Sequence, residues 1–208
     1  FTRDLIQNAL AGISDNMIVS VMRTSRSTIV KNNLDFSSSI CDSHGRQTAQ
    51  GLALPGHLGS TMPALKGCLD YFGDDIHPGD MLASNDPYAG ASHLNDIFMF
   101  KPFYAANGKR LGFLSLILHH TDMGGRVPGG QATDSTEIFQ EGLRIPPSKI
   151  CEAGVINQTL YRLIETNVRV PNQVLADLRA QISALDSGER EVQKLLAEFD
   201  ADEFAAYM

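Results

Sequence analysis

Two apolar segments joined by a turn constrain this chain more than any other feature. "DIFMFKPFYA" (residues 96–105) and "LGFLSLILHH" (111–120) flank "ANGKR", in which Asn107-Gly108 is a strong signal for a tight hairpin turn. A two-residue loop at that pair places residue i opposite roughly 215 − i. The second segment is apolar almost throughout, which predicts burial on both faces of a sheet. Strands covered on both sides need helices around them. The fold class expected is α+β, a mixed or antiparallel sheet with flanking helices and a helical C-terminal segment.

The open end of this hairpin carries the polar residues of interest. "NDPYAGASHLND" (85–96) runs into the first strand and "HHTDMGG" (119–125) leaves the second. On the hairpin register Asp96 falls near His119 and His93 near Asp122. In a strand, His119 and His120 point to opposite faces, so only one can share a centre with Asp96, and parity does not name which. Imidazole and carboxylate donors in this mix suit zinc, manganese or iron(II). The plainer reading is that His and Asp at strand ends hydrogen-bond turn backbones.

The remaining pattern is read more coarsely. Leu5, Ile6, Ala9, Leu10, Ile13, Met17 and Val21 recur at helical steps after Thr2. A short hairpin is expected from Phe36–Cys41 through "DSHGR" to Gln47, and an amphipathic helix over 62–72. "IHPGDMLASNDPY" reads as a turn, a short strand and a turn. The Gly-rich run 121–147 predicts little regular structure. Helices follow from Asn157, with Asn172 as a cap, Gly188 as an end or break, and a last helix carrying Val192, Leu195, Leu196 and Phe199. The division expected is an α+β metal-binding core over 1–170 and a helical extension over 171–208.

Composition bounds the function. Of 208 residues, 43% are hydrophobic and 20% charged, enough for a core and against disorder. The net charge of −7 offers no footprint for nucleic acid, and the longest apolar run is strand-sized, so no membrane partner is expected. Three widely spaced cysteines fit reduced, buried thiols and a cytoplasmic location. The chain opens on Phe1 rather than Met, so residues are expected to precede it. "MGGRVPGG" lacks the Lys-Ser/Thr of a phosphate loop, and no Gly-x-Ser-x-Gly elbow is present. Asp42 reads as an Asx-turn residue; His44 and His77 read as turn residues. His57, between glycines, suits either close approach of a ligand or a structural hydrogen bond. Glu141 suits a general base or a loop cap.

"LDFSSSICDSHGRQTAQ", "HLGS", "SNDPYAGASHLND", "HHTDMGG" and "TEIFQEGLRIPP" stand in one order along nearly the whole chain. Together they resemble the N-terminal part of the hydantoinase B/5-oxoprolinase family, which includes ATP-dependent hydantoinases, lactamases and acetone-type carboxylases. The resemblance implies a B-type subunit that works with a hydantoinase A-type subunit, which binds ATP and activates a small-molecule substrate. It implies metal ligands at His93 and Asp96, at His119 in preference to His120, and at Asp42. The function expected is metal-directed attack of water on an activated cyclic amide, with His57 or Glu141 moving protons. Two alternatives stand beside it: a subunit of an ATP-dependent ketone carboxylase, and a non-catalytic assembly subunit. Family chains are more than twice this length, so the chain is expected to be a fragment, a proteolytic product or one piece of a split subunit, completed by the remainder of the B-type subunit or a split companion chain. Ala91-Ser92 and Asn95 depart from the family pattern of Gly-Thr and Pro but leave the ligands in place.

Overall fold

The computed structural model describes residues Phe1–Met208. Its centre is the expected hairpin, strands β4 (Asp96–Tyr104) and β5 (Arg110–His119). From Asp96 opposite His119 to Phe103 opposite Gly112, every pair obeys the 215 register. The turn itself differs from the expectation. Gly108 has φ +82° whereas Asn107 does not lie in the left-handed region, and Ala105 is bridged to Lys109. This is a longer loop with one left-handed glycine, and Tyr104 pairs with Arg110. A bulge at Phe103/Tyr104 then restores the register one residue later.

Five more strands extend the sheet: β1 (Phe36–Asp42), β2 (Gln47–Gln50), β3 (Met81–Ser84), β6 (Ser148–Glu152) and β7 (Val155–Ile156). The order is β2-β1-β5-β4-β3-β6-β7, antiparallel at every pairing, so the fold is α+β as expected. β6 and β7 fall where no strand was foreseen, since 148–156 shows no clear alternation. β1 and β5 are buried along almost their full length, consistent with helices on both faces.

On one face pack α1 (Thr2–Thr24), which buries Ile6, Leu10, Ile13, Met17 and Val21, and α5 (Pro171–Leu196), which buries Val174, Leu178, Leu185 and Val192. On the other lies α3 (Leu58–Phe72), covering Phe98, Phe100, Phe113 and Ile117 with Leu65 and Cys68. α3 starts at Leu58 rather than Met62 because a 3-10 turn at Pro55–His57 runs straight into it. α5 overturns two expectations. Pro171 takes its first turn, where a missing N–H costs nothing, so Val170 and not Asn172 stands at the cap position. The helix also passes through Gly188 unbroken. A Cβ there would stand 2.6 Å from Met17 Sδ, so the glycine serves close packing of α5 on α1. Val192, Leu195 and Leu196 therefore continue α5. Short helices α2 (Thr28–Asn33), α4 (Gln158–Asn167) and α6 (Ala201–Tyr207) complete the chain, with Phe204 of α6 fully buried.

Candidate metal centre

Three adjacent strands have ends at one edge of the sheet: β1 starts at Phe36, β4 starts at Asp96, and β5 finishes at His119. Asp35 is brought in because its carbonyl accepts from the His119 backbone N–H at 3.0 Å. His93 returns to Asp96 through a turn, with the Asp96 N–H donating to the His93 carbonyl at 3.1 Å. The Asn95 N–H donates to His93 Nδ1 at 3.2 Å, leaving Nε2 toward Asp96. His57 arrives from the turn before α3. The Ser37 hydroxyl donates to the Leu54 carbonyl, so Ser37 Oγ accepts from His57 Nδ1–H at 3.1 Å. His57 Nε2 is thereby left facing Asp35 Oδ1 at 3.4 Å and Asp96 Oδ2 at 3.5 Å.

Asp96 is the hub. Its Oδ1 lies 3.0 Å from His119 Nδ1, and its Oδ2 lies 3.4 Å from His93 Nε2 and accepts from Ser92 Oγ at 2.5 Å. Asp35 Oδ2 is 3.8 Å from His119 Nδ1. One donor atom from each of His93, Asp96 and His119 falls within 4.8 Å of the others. Burial pushes the Asp96 carboxyl up, but hydrogen bonds from His119 and Ser92 and the charges of His93 and His57 outweigh it and hold it low. Burial lowers the His93 imidazole against the pull of Asp96. No Lys or Arg pairs with Asp35 or Asp96; their ionic neighbours are all histidines. Two clustered carboxylates, one of them fully buried, with imidazoles converging on them and no fixed cation, make a donor set that fits a divalent transition metal.

The hairpin register brings Asp96 to His119, as the sequence predicted, and resolves the parity. His120 turns to the opposite face, fully buried, with Nε2 3.0 Å from Gln181 Oε1 of α5. Asp122 does not serve His93: its carboxylate accepts from the Arg169 backbone N–H at 2.6 Å and guanidinium at 2.9 Å. Asp42 ends β1 at the far side of the sheet, six residues beyond Phe36 and so about 20 Å along the strand. There it accepts from the His44 and Arg46 N–H groups, an Asx-turn arrangement, and pairs with the Arg46 guanidinium. Glu141 lines a separate cavity with Pro87, Tyr88 and Glu137. All three cysteines are buried, with thiols pushed up to about 12 (Cys41, Cys68) and about 11 (Cys151), chiefly by burial, so none offers a thiolate. Sequence reasoning missed Asp35 and Ser92. Asp35 is the second residue of the "LDFSSSICDSHGR" stretch, but only the β1–β5 pairing brings it to the hairpin.

The sequence matches the Hydantoinase B/oxoprolinase family model over residues 1–208. It is 36% identical to the caprolactamase subunit beta of Pseudomonas jessenii over 99% of this chain and 35% of that protein. It is 32% identical to 5-oxoprolinase 1 of Arabidopsis thaliana over 98% of this chain and 17% of that protein. The crystal structure of the ATP-dependent caprolactamase from Pseudomonas jessenii superposes with a TM-score of 0.92 over 99% of this chain and 35% of that one. An acetone carboxylase shares the fold, with a TM-score of 0.90 at 19% identity over 98% of this chain and 28% of that one. The chain thus spans about a third, or less, of the length of these relatives. With the family model matched end to end, this chain belongs to the Hydantoinase B/oxoprolinase family.

Proposed function

We propose that this chain is the metal-holding part of a B-type subunit of an ATP-dependent cyclic-amide hydrolase. The convergence of His93, Asp96 and His119 within 4.8 Å at one sheet edge carries the reading. A divalent transition metal, zinc or manganese before iron, would supply Lewis acidity here, able to lower the pKa of water and to polarise a carbonyl. Asp96, His93 and His119 would hold it, with Ser92 orienting Asp96 and Asp35 adding negative charge beside them. His57, fixed by Ser37 with Nε2 turned to the cluster, takes up and returns a proton at Nε2. Glu141, in its separate cavity, is not given that part. ATP is assigned to an A-type partner subunit. Identity of 36% to a caprolactamase beta subunit supports a hydrolase over a ketone carboxylase, with which the likeness is one of fold.

Elemental analysis of chain purified without chelator tests the centre. About one transition-metal ion per chain is expected, and its loss in His93→Ala/Asp96→Ala with the fold intact. A well-folded wild type that takes up neither zinc nor manganese overturns the reading and leaves a non-catalytic assembly subunit. In the reconstituted complex, ATP turnover with a cyclic amide and without bicarbonate distinguishes hydrolase from carboxylase.

A further inference from the structure

The loops beside the centre hold an arginine whose donors are unused. The Arg144 guanidinium lies within cation–π distance of two rings, 5.5 Å from the Tyr88 centroid and 5.8 Å from that of Phe139. Both rings are largely exposed, at 78% and 76%. Its one ionic neighbour is Asp86, whose Oδ2 stands 3.8 Å from Nε, beyond hydrogen-bond range. Arg169 is the contrast: its guanidinium donates to Asp122 and to the carbonyls of Gly124, Gly125 and Val127, which is a structural role.

The Arg144 backbone is held firmly. Ile145 N–H donates to Asn85 Oδ1 at 2.6 Å, and Asn85 Nδ2 donates to the carbonyls of Leu143 at 3.0 Å and Leu94 at 2.6 Å. One fully buried side chain thus ties the arginine's segment to the residue next to His93. Backbone also packs on backbone there, since a Cβ at Gly125 would stand 2.5 Å from the Glu141 carbonyl and one at Gly142 2.4 Å from that of Met123. The small residues leave a cavity of about 390 Å³ lined by Gly124, Gly125, Phe139, Gly142, Arg144 and Asn167, with no acid in its wall. The neighbouring cavity beside Tyr88 is lined by Glu137 and Glu141 and repels an anion.

A guanidinium presents five N–H donors in one plane, matched to carboxylate and phosphate oxygens. Contact with two aromatic rings restrains it, so it has less freedom to lose when it binds. With Asp86 on the Nε side, the Nη1/Nη2 edge remains for a ligand. We propose that Arg144 binds an oxyanion, carboxylate or phosphate, carried by the substrate that reaches the metal centre. The link to the substrate rests on the metal-centre reading; oxyanion binding by the chain does not.

Titration of the chain with inorganic phosphate and with acetate at constant ionic strength, followed by NMR, tests this. Saturable shifts of the Arg144 Nε–H and of the Gly124 and Gly125 amides are expected with at least one probe. Arg144→Gln should abolish the glycine shifts, and Arg144→Lys should weaken binding about tenfold. A response to phosphate alone names a phosphorylated substrate, and a response to acetate names a carboxylate. Silence with both probes, or glycine shifts that survive in Arg144→Gln, overturns the proposal; a surface that answers only a protein partner gives that silence. Arg144→Gln should keep the wild-type metal content. Shifts in a wild type that binds no metal would sink the metal centre and leave the oxyanion site standing.

Discussion

Asp96 has three imidazoles within 3.5 Å and a serine hydroxyl at 2.5 Å, and it is 1% exposed. That carboxylate is held by hydrogen bonds from His119 and Ser92 and by the imidazoles around it, with a second acid, Asp35, beside the same histidines. Asp35→Asn removes like charge from the metal-free protein, so its Tm without metal should hold or rise. Metal binding should weaken about 10–100-fold, read as a smaller gain in Tm with zinc and by chelator competition. An unchanged metal-dependent gain would exclude Asp35 from the centre. Asp122 has a different part. Burial pushes its carboxyl up, but the Arg169 backbone and side chain and the N–H groups of Gly124 and Gly129 outweigh that and hold it below the ordinary 3.8. A depressed folded value stabilises the fold above that ordinary value, and the contribution is lost as pH falls through the folded value. Asp122→Asn should cost about 1–3 kcal/mol in urea unfolding at pH 7, with the difference from wild type shrinking toward pH 3. A difference independent of pH would place the cost in packing instead.

Among the elements, α5 shows how a residue type can mislead. Gly188 reads as a helix end because glycine is a poor helix former. In the fold it is where α5 packs closely on Met17 of α1 and Leu114 of β5, with Met17 Sδ and Leu114 Cδ1 at 2.6 and 3.3 Å from a Cβ built there. Gly188→Val should destabilise by about 1–3 kcal/mol through overpacking. Pairing it with Met17→Ala should recover part of that loss, a coupling visible in a double-mutant cycle by thermal unfolding. Simple additivity would mean the glycine's role lies elsewhere. The β4–β5 turn gives the complementary lesson. Asn107-Gly108 announces the hairpin correctly, yet only Gly108 adopts positive φ, and the bulge at Phe103/Tyr104 supplies the residue that returns the register to 215. Burial of both strands within the sheet favours that register, because a one-residue slip would turn every side chain, Asp96, Lys101 and His119 among them, to the other face.

For the molecule as a whole, α5 is the brace beneath the centre. Gln181 Nε2 donates to the carbonyls of Ile97 in β4 and Leu116 in β5, while its Oε1 meets His120. Lys101 of β4, buried, pairs with Asp186 and Glu189 of the same helix. The Arg26 and Ser27 N–H groups donate to Asp177. A chain ending at Val170 should therefore lack cooperative thermal unfolding and near-UV circular dichroism. A cooperative transition in that truncated chain would make residues 171–208 a separable extension. Local chemistry in the sequence was enough to predict the hairpin and the meeting of Asp96 with His119, because a turn signal and a two-residue side-chain period are local. The register, by contrast, stands only because the bulge at Phe103/Tyr104 offsets the longer loop. Only the tertiary structure decided that Asp35 and His57 join them and that Asp42 and Asp122 do not. Asp35 arrives because β1 pairs with β5, Phe36 with Leu118, and His57 because Ser37 and the Leu54 carbonyl hold its ring. Such pairings span long stretches of chain and are selected by burial of the whole sheet between two helical layers, which no local pattern records.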